Sequence, residues 1–323
     1  MDDRFSVLAT ATPSASAREA KARVRRYYQA ATEDYLKYYE SDWHHHMHYG
    51  FDRGLPKGGN PTENLVRYLA GIAHLLPGRS SRTHKPAHAP RVLDAGCGVG
   101  GSAIWLAKEA GCSCVGITLV ESQAHLAMGF ASQRGVAPVT SPGAVSTRRD
   151  KGRARFLAND FTTPAFKPGS FDVVWALESF DHAPDKEDWI GRIYDLLKPG
   201  GRLLIADGFR ADRPFSTVED RVFRRFLAGW AVPHLCTARE LKTWAIRAGF
   251  EVEHEEDISA DVMPHARAIF RFGLVFIPVR WVLHRLGWTS GEKLGNAVAT
   301  YHQYGTLKKK LWHYGVYCFK KYS

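Results

Sequence analysis

Residues 92–101 read VLDAGCGVGG, and this stretch decides the fold. A short apolar run ends at Asp94, and glycines follow at 96, 98, 100 and 101 before the helical pattern SAIWLAKEAG. Because glycine lets the backbone approach a ligand closely, a glycine turn between a buried strand and a helix predicts a nucleotide-type pocket. Dinucleotide dehydrogenases share such a turn. They also use an acid at the tip of the second strand, which GITLVESQ (116–123) lacks at that point.

Strand and helix patterns alternate from this turn to residue 209. The strand patterns are SCVGITL, ARFLANDF, FDVVWALES and GRLLIADGF, and the helical patterns include SQAHLAMGFASQRG and DWIGRIYDLLKPGG. The polar segment 136–152 interrupts them and predicts a surface loop without chemistry. The predicted fold class is therefore α/β: a doubly wound, mainly parallel, Rossmann-like seven-stranded sheet with a helical N-terminal lid and helical cap insertions.

Composition divides the chain into three predicted parts. Residues 1–18 lack the apolar core of a secretory signal and predict a disordered tail. Residues 19–90 predict a helical N-terminal lid and a linker, and residues 91–323 predict the core. Helical, aromatic cap insertions are predicted at 211–237 and 260–295, because folds of this class place substrate caps after strand ends.

Charge and cysteine content limit the partners. The 323 residues carry a formal net charge of +11, which favours an anionic partner. Five cysteines occur without CxxC spacing, so neither a disulfide framework nor a zinc cluster is indicated, and we expect a reducing, cytoplasmic compartment. The most apolar stretch, 269–288, is broken by Arg271, Arg280, His284 and Arg285, so no transmembrane segment is predicted. It is suited to lie against a membrane or to line an apolar pocket.

VLDAGCGVGG resembles the first motif of class I S-adenosylmethionine-dependent methyltransferases, in the group that includes sterol, tocopherol and prenyl diphosphate methyltransferases. The resemblance continues in GITLVESQ, LANDF (157–161), FDVVWALESFDHAPDKEDW (171–189) and LLKPGGRLLIADGF (196–209). It is strongest from 91 to 208. It implies an enzyme that binds S-adenosylmethionine and methylates a small molecule.

The resemblance also assigns cofactor-binding residues by position. Gly96, Gly98 and Gly100 would leave room for the methionine part of the cofactor, and Asp94 would orient the turn or its amino group. Thr118 stands where many relatives carry an acid for the ribose.

Two further groups complete this predicted cofactor site. Leu119 or Gln123 would help to line the ribose end. In the adenine-binding stretch a carboxylate accepts from the exocyclic amine and an aromatic ring packs on the base, and its matches here are Asn159, Asp160 and Phe161.

The acceptor side is expected to be apolar and aromatic. Methyl transfer needs the acceptor atom held in line with the sulfonium carbon in a site largely free of water. An alkene acceptor becomes a carbocation, which needs aromatic faces and then a base. By resemblance Glu178 is the predicted base and His182 the second choice, although a Glu178 that only holds a loop stays open. The aromatic candidates are Tyr27, Tyr28, Trp43, Tyr49, Phe51, Phe180, Phe223, Phe226 and Trp230.

A histidine run, DWHHHMHYGF at 42–51, is similar to stretches in the N-terminal regions of the same three groups. The similarity predicts a lid over the acceptor, with Tyr49 as a third catalytic candidate. A diphosphate acceptor held through Mg²⁺ would use such groups together with arginines. Arg25, Arg26, Arg221 and Arg224 are available, unless they form only a solvated face. The predicted substrate-binding residues are Tyr28, Trp43, His46, His48, Phe180 and Arg225.

Several functions remain open from the sequence. The first is C-methylation of an isoprenoid such as a prenyl diphosphate, which would belong to terpene biosynthesis. The alternatives are a sterol, a tocopherol-like phenol or another natural product with a carbon, oxygen or nitrogen acceptor. A nucleic-acid methyltransferase is disfavoured, because aromatic caps are present and a recognisable RNA-binding module is not. A binding protein without activity and a homo-oligomer are also left open.

Overall fold

A computed structural model describes most of the chain. The first part of the predicted tail, most of the linker and most of the predicted surface loop lie outside the described residues, as do Trp43, His44 and His45. The described ranges are 15–39, 46–76, 88–138 and 152–322.

The described residues form one mixed sheet. Its strands are β1 (Arg91–Ala95), β2 (Ser113–Thr118), β3 (Ala137–Pro138), β4 (Arg153–Ala158), β5 (Phe171–Leu177), β6 (Leu197–Arg210), β7 (Phe250–Asp257) and β8 (Trp312–Lys321). They lie in the order β3-β4-β2-β1-β5-β6-β8-β7. Strands from β3 to β6 pair in parallel, whereas β8 is antiparallel to both β6 and β7. The predicted doubly wound α/β class is confirmed, and the two-residue edge strand β3 is additional to the seven predicted strands.

Helices cover both faces of this sheet and its carboxyl end. Tyr35–Tyr39 continues the first helix as a π-helical segment, and Phe180–His182 forms a 3₁₀ turn. The α-helices are α1 (Ala15–Asp34), α2 (Pro61–Ile72), α3 (Gly101–Glu109), α4 (Glu121–Gln133), α5 (Lys186–Leu196), α6 (Thr217–Gly229), α7 (Ala238–Ala248), α8 (Ser259–Arg285) and α9 (Gly291–Lys308).

The core lies on the two faces of the central strands. In β1 the side chains of Val92 and Leu93 are fully buried on opposite faces, and Trp175 and Val174 repeat this in β5. Near-continuous apolar sequence is typical of parallel strands that are covered on both sides. Each such side chain contributes on the order of 1.5–3 kcal/mol through burial. The carboxyl ends of β1, β2 and β5 therefore meet at the edge where ligands bind in open α/β sheets.

Two boundaries differ from the sequence-based expectation. Helix α1 begins at Ala15, so the last residues of the predicted tail are helical. Helix α5 ends at Leu196, whereas the sequence pattern predicted that it would continue to the glycine pair at 200–201. Pro199 disfavours helical backbone in the preceding residue, and Leu197 instead starts β6 by pairing with Phe171.

Helices α6, α8 and α9 pack together, and we call them the cap. Helix α6 and nearly all of α8 lie in the predicted insertions at 211–237 and 260–295, but α9 continues to Lys308, well beyond the predicted end at 295. Two glycines allow close approach of the helices. A Cβ atom on Gly273 of α8 would lie 2.5 Å from Thr300 Oγ1 of α9, and one on Gly229 of α6 would lie 2.4 Å from the carbonyl oxygen of Gly295. Across the described ranges, each helix is too short or too polar to cross a bilayer.

Candidate active site

The glycine turn after β1 combines three separate constraints. Gly96 has a φ of 97°, and a Cβ there would lie 2.4 Å from Ser179 Cβ. Gly100 has a φ of 91°, and its Cβ would lie 2.8 Å from the Phe156 ring. Gly98, with a φ of 50°, faces a cavity, where its Cβ would meet only the sulfur of Met47 at 3.3 Å. A side chain at position 96 or 100 would therefore collide with Ser179 or Phe156, and a side chain at position 98 would occupy the cavity.

This cavity has a volume of about 690 Å³ and opens beside Asp94 and Gly98. Asp94 is buried, accepts a backbone hydrogen bond from Ala103, and has no partner for Oδ2 among the described residues. Burial raises the pKa of Asp94 to about 7. A buried carboxylate oxygen without a donor is costly, and a ligand amino group would satisfy it. The cavity therefore fits the methionine end of S-adenosylmethionine.

At the tip of β2, where the ribose was predicted to bind, the described residues that line the cavity include no acid. Thr118 and Leu119 line it at the tip of β2, together with Gln123 from α4. The Thr118 hydroxyl donates to Gln123 Oε1 at 2.6 Å, and Gln123 Nε2 donates to Thr32 Oγ1 of α1 at 2.8 Å. The amide of Gln123 therefore links the tip of β2 to the lid helix.

Of the three residues predicted to bind adenine, only one is among the described residues that line the cavity. Phe161 lines the cavity. Asn159 Oδ1 accepts from the backbone N–H of Asp160, whose carboxylate accepts from Lys21 of α1 and from Thr162. Burial tends to raise the pKa of Asp160, but the hydrogen bonds from Lys21 and Thr162 outweigh it and lower the pKa. Asp160 thus ties the lid helix to the core.

A second cavity of about 930 Å³ adjoins the first. About half of its lining residues are aromatic or histidine, and these come chiefly from α1, the segment at 46–49, α6, α8 and β8. Among the described residues that line it, none is Lys or Arg, whereas three are carboxylic acids. The two cavities share one wall, formed by Tyr28, His46, Met47, His48, Glu178 and His182.

Glu178 occupies this shared wall in a strained conformation. It follows β5 directly and has a φ of 49°, in the left-handed region that non-glycine residues rarely adopt. The backbone N–H of Tyr49 and the hydroxyl of Tyr314 donate to Oε1 at 2.7 and 2.8 Å. Burial raises the pKa of Glu178 to about 8, against the lowering effect of these two hydrogen bonds. The side chain is therefore positioned to hold and release a proton near neutral pH.

Two more carboxylic acids, Asp181 and Asp207, line the second cavity together with Glu178. Asp207 at the end of β6 accepts from the backbone N–H groups of Asp181 and Gly208, at 3.0 and 2.7 Å. Burial raises the pKa of both Asp181 and Asp207. The nearby Lys186 ammonium donates to three backbone carbonyl oxygens, each at 2.9 Å, and stays outside the cavity wall.

His182 forms a hydrogen bond between Nε2 and the hydroxyl of Tyr28, at 2.9 Å. Burial, and secondarily the charge of Lys186, lowers the pKa of His182 to about 3. The ring is therefore neutral at physiological pH, and it holds Tyr28 of the lid helix against the shared wall.

The described part of the histidine run faces inward. Since His48 Nδ1 lies 2.8 Å from the carbonyl oxygen of Tyr49, this nitrogen carries the proton and donates. Burial lowers the pKa of His48 to about 4, so the ring is neutral and its Nε2 accepts from His46 Nδ1 at 3.1 Å. Within the described ranges, no cluster of three or more His, Cys, Asp or Glu side chains is arranged to bind a metal ion.

The hydroxyl of Tyr49, which was predicted as a catalytic candidate, does not contact Glu178. The phenol donates to Gln303 of α9 at 2.7 Å, so the backbone N–H, not the hydroxyl, contacts Glu178. Its ring packs edge-on against Tyr314 and Trp230, with centroid distances of 5.8 and 6.2 Å. Among the predicted aromatic residues, those that line the second cavity are Tyr27, Tyr28, Tyr49, Phe226 and Trp230.

Two predicted substrate-binding residues lie away from the cavities. Phe180 is fully buried between Trp189 and Phe209, with ring centroids 5.2 and 6.5 Å away, so it is a core residue. Arg225 is exposed to solvent on α6. The sequence pattern placed both near the site, but Phe180 points into the core and Arg225 away from the protein. The other arginines considered for an anion, Arg25, Arg26, Arg221 and Arg224, are exposed as well.

The sequence did not reveal several important residues. Tyr314 and Trp312 of β8 line the second cavity, as do His265 and Ile269 of α8. A signal for β8 exists in the aromatic and β-branched run WHYGVYCFKK at 312–321, which favours a strand. Its place beside β6 depends on long-range pairing that the run itself does not specify.

Comparisons with known proteins agree with this geometry. Residues 55–255 match the family model described as a methyltransferase domain. The chain is 26% identical over 256 residues to a probable chloroplastic tocopherol O-methyltransferase of Oryza sativa subsp. japonica, covering 77% of this chain and 66% of that protein. It is 31% identical over 255 residues to 24-methylenesterol C-methyltransferase 2 of the same plant, covering 77% of this chain and 61% of that protein.

A solved structure shows the same fold. It is geranyl diphosphate C-methyltransferase from Streptomyces coelicolor A3(2), with a TM-score of 0.63 and 17% identity, covering 97% of this chain and 100% of that one. The aligned region spans about three-fifths to two-thirds of the length of the two plant proteins. Since the family model covers more than half of the chain, this protein belongs to the methyltransferase domain family.

Proposed function

We propose that this protein is an S-adenosylmethionine-dependent methyltransferase that C-methylates an apolar isoprenoid. The single observation that carries the proposal is the shared wall, where Glu178 lies between a cofactor-type cavity and an aromatic acceptor cavity. The family match and the glycine turn support the methyl donor, and the aromatic lining supports the acceptor class.

The first cavity would hold the cofactor through groups already described. Asp94 would accept from its amino group, Gly98 would leave space for its chain, and Phe161 would pack at its adenine end. When bound, S-adenosylmethionine supplies a methyl group on a positively charged sulfur. Tyr28 and Met47 would close over this end from the lid side and exclude water.

The acceptor cavity suits the formation of positive charge on carbon. If an alkene gained the methyl group, one carbon–carbon bond would form while the methyl–sulfur bond of the donor broke, leaving a neutral thioether, and the positive charge would move to the acceptor as a carbocation. The electron-rich faces of Tyr49, Trp230 and Trp312 would stabilise that charge. The Glu178 carboxylate would then take a proton from the neighbouring carbon, which restores a double bond and leaves Glu178 protonated.

The raised pKa of Glu178 is compatible with this role. A carboxyl group with a pKa of about 8 is mostly protonated at pH 7. A positive charge placed beside it favours the ionised form and lowers its pKa. Glu178 would therefore lose its proton as the positively charged S-adenosylmethionine binds. Once the positive charge has gone at the end of the reaction, the protonated form of Glu178 would again be favoured.

The charge of the lining favours a neutral acceptor over a prenyl diphosphate. Glu178, Asp181 and Asp207 lie in the cavity wall, and Lys and Arg do not occur among its described lining residues. A diphosphate is normally bound by arginines, by Mg²⁺ or by both. A sterol or a tocopherol-like phenol needs neither, so we propose one of these as the acceptor class.

A labelled-methyl assay with several acceptors tests the proposal. Purified protein would be incubated with labelled S-adenosylmethionine and, separately, with a sterol, a tocopherol-like phenol, geranyl diphosphate, farnesyl diphosphate and transfer RNA. We expect label in the sterol or the phenol, unaffected by a chelator. Label in a prenyl diphosphate that disappears when Mg²⁺ is chelated would overturn the neutral acceptor, and label in transfer RNA would overturn the whole proposal.

A further inference from the structure

The second half of α8 exposes an unusual number of large apolar side chains. Trp288, just after the helix, is 75% exposed, Val275 is 67% exposed and Trp281 is 52% exposed. Single exposed apolar residues are normal, but a contiguous group marks an interaction surface. We call this group the α8 patch, and its members are Leu274, Val275, Val279, Trp281, Val282, Leu286 and Trp288.

The chain segment that carries the α8 patch contains only basic charges. Residues 262–291 contain no Asp or Glu. Arg271 and Arg285 are exposed at the two ends of the patch, and the Arg285 guanidinium lies 5.2 Å from the centre of the Trp281 ring. A helix with exposed apolar residues, tryptophans and only basic charges is typical of a segment that lies in a membrane interface.

The first half of α8 packs against α9 and contributes two residues to the wall of the acceptor cavity. Phe270 packs against Tyr301 and Tyr304 of α9, with centroid distances of 5.3 and 5.2 Å. His265 and Ile269 line the acceptor cavity. One helix therefore connects the acceptor cavity with the exposed patch.

The patch is also linked to the lid. Arg280 of α8 forms an ion pair with the largely buried Asp34 of α1 at 2.7 Å. Lys293 at the start of α9 lies 3.6 Å from the same carboxylate. Helix α1 carries Tyr28, which lines both cavities, so the α8 patch is coupled by direct contacts to the element that covers the site.

We propose that the α8 patch docks on an anionic lipid membrane, with the apolar side chains in the interfacial region and Arg271 and Arg285 against lipid phosphates. The reason for docking rests on the proposed function, since an apolar isoprenoid resides in lipid. The net charge of +11 adds a long-range attraction to an anionic surface. A second copy of the chain is less suited as occupant, because it would bring the same arginines to the interface.

Co-sedimentation with lipid vesicles tests this inference. The probes are phosphatidylcholine vesicles with and without phosphatidylglycerol, and the tryptophan emission is recorded at the same time. We expect binding to the anionic vesicles with a blue shift of the emission, and weaker binding at high salt. Removing two positive charges in the double variant R271Q/R285Q should weaken binding by about fivefold per arginine, roughly twenty-five-fold in all.

Matched variants separate the patch from general surface effects. Trp288→Ser should reduce both binding and blue shift, whereas Ile246→Ser removes an apolar residue that is 60% exposed on α7 and should change neither. Arg221→Gln on α6 is the corresponding charge control. Thermal melts followed by circular dichroism would check that each variant is folded.

Three outcomes would overturn the inference. They are wild-type protein that ignores anionic vesicles, patch variants that bind like the wild type, and light scattering that shows a dimer broken by Trp288→Ser. Vesicle binding requires no turnover. A protein that methylates an apolar acceptor without binding vesicles defeats only this inference, and one that binds vesicles without methylating any apolar acceptor defeats only the proposed function.

Discussion

The two cavities of this protein are built in different ways. The cofactor-type cavity is formed largely by short stretches at the carboxyl ends of β1, β2, β4 and β5, including Asp94, Gly98 and Thr118. The acceptor cavity is formed by side chains that stand far apart in sequence, from Tyr27 to Tyr314. The first depends on backbone conformation at strand ends, and the second depends on how lid, cap and sheet pack together.

Their electrostatics differ in the same way. The cofactor-type cavity has two buried carboxyl groups: Asp94, whose Oδ2 lacks a donor among the described residues, and Glu178 of the shared wall. The acceptor cavity has three carboxyl groups, and Glu178 is held by donors from both Tyr49 and Tyr314. Donor binding and acceptor chemistry should therefore be separable by mutation.

Glu178→Gln tests that separation most strongly. The amide keeps the size of the side chain and cannot take a proton, so turnover should fall by about a hundred to ten thousand-fold. Affinity for S-adenosylmethionine, measured by calorimetry at pH 7, should fall far less, by under about tenfold, because only the attraction between Glu178 and the positive charge of the ligand is lost. A variant that turns over normally would show that Glu178 is structural and would favour an oxygen or nitrogen acceptor.

Gly98→Leu should mainly impair binding of the cofactor, in contrast to Glu178→Gln, which should mainly impair turnover. The new side chain would project into the cofactor-type cavity near Met47, so binding of S-adenosylmethionine should weaken by more than about tenfold. Gly111 offers a control, because it has a φ of 71° and open space around it. Gly111→Leu introduces comparable backbone strain and should leave calorimetric affinity unchanged. Equal losses in both variants would indicate general destabilisation.

Tyr314→Phe should alter the pH profile of turnover. Its hydroxyl donates to Glu178, which lowers the pKa of that carboxyl group, so its loss should move the acidic limb, where Glu178 becomes protonated, to higher pH by about one unit. Turnover at neutral pH should fall by roughly tenfold. Tyr317→Phe on the same strand is the matched control. An unchanged profile in Tyr314→Phe would mean that Glu178 does not govern the limb.

Stability should depend on pH through the same carboxyl group. Its pKa is raised in the folded state, so the proton is bound more tightly there than in the unfolded chain, where a pKa near 4.5 applies. The stabilisation is fully present below about pH 4.5 and is lost as pH rises towards 8. In thermal melts, the melting temperature of Glu178→Gln relative to that of the wild type should increase as pH rises across this window. A constant difference would contradict the raised pKa.

Arg225→Ala should have the smallest effect. This side chain is exposed, so KM for a neutral acceptor should change by less than about twofold. An increase in KM for a prenyl diphosphate, measured with Mg²⁺ present, would indicate that Arg225 binds the acceptor and would contradict a neutral acceptor.

The amino-acid sequence by itself determined the donor half of this protein. VLDAGCGVGG predicts a strand, a turn and a helix, and local backbone geometry at such a turn leaves few alternatives. Thr118, Phe161 and Glu178 were assigned from the family resemblance, and each lies at or shortly after the end of a strand, so the local sequence sufficed to locate them on the cavity wall.

Only the tertiary structure decided the acceptor half. Phe180 and Phe226 are both aromatic residues in apolar surroundings, yet one packs against Trp189 in the core and the other lines the cavity. Tyr314 reaches Glu178 because β8 pairs with β6, more than a hundred residues away. Side-chain direction at such positions depends on packing between distant elements, which local sequence patterns do not encode.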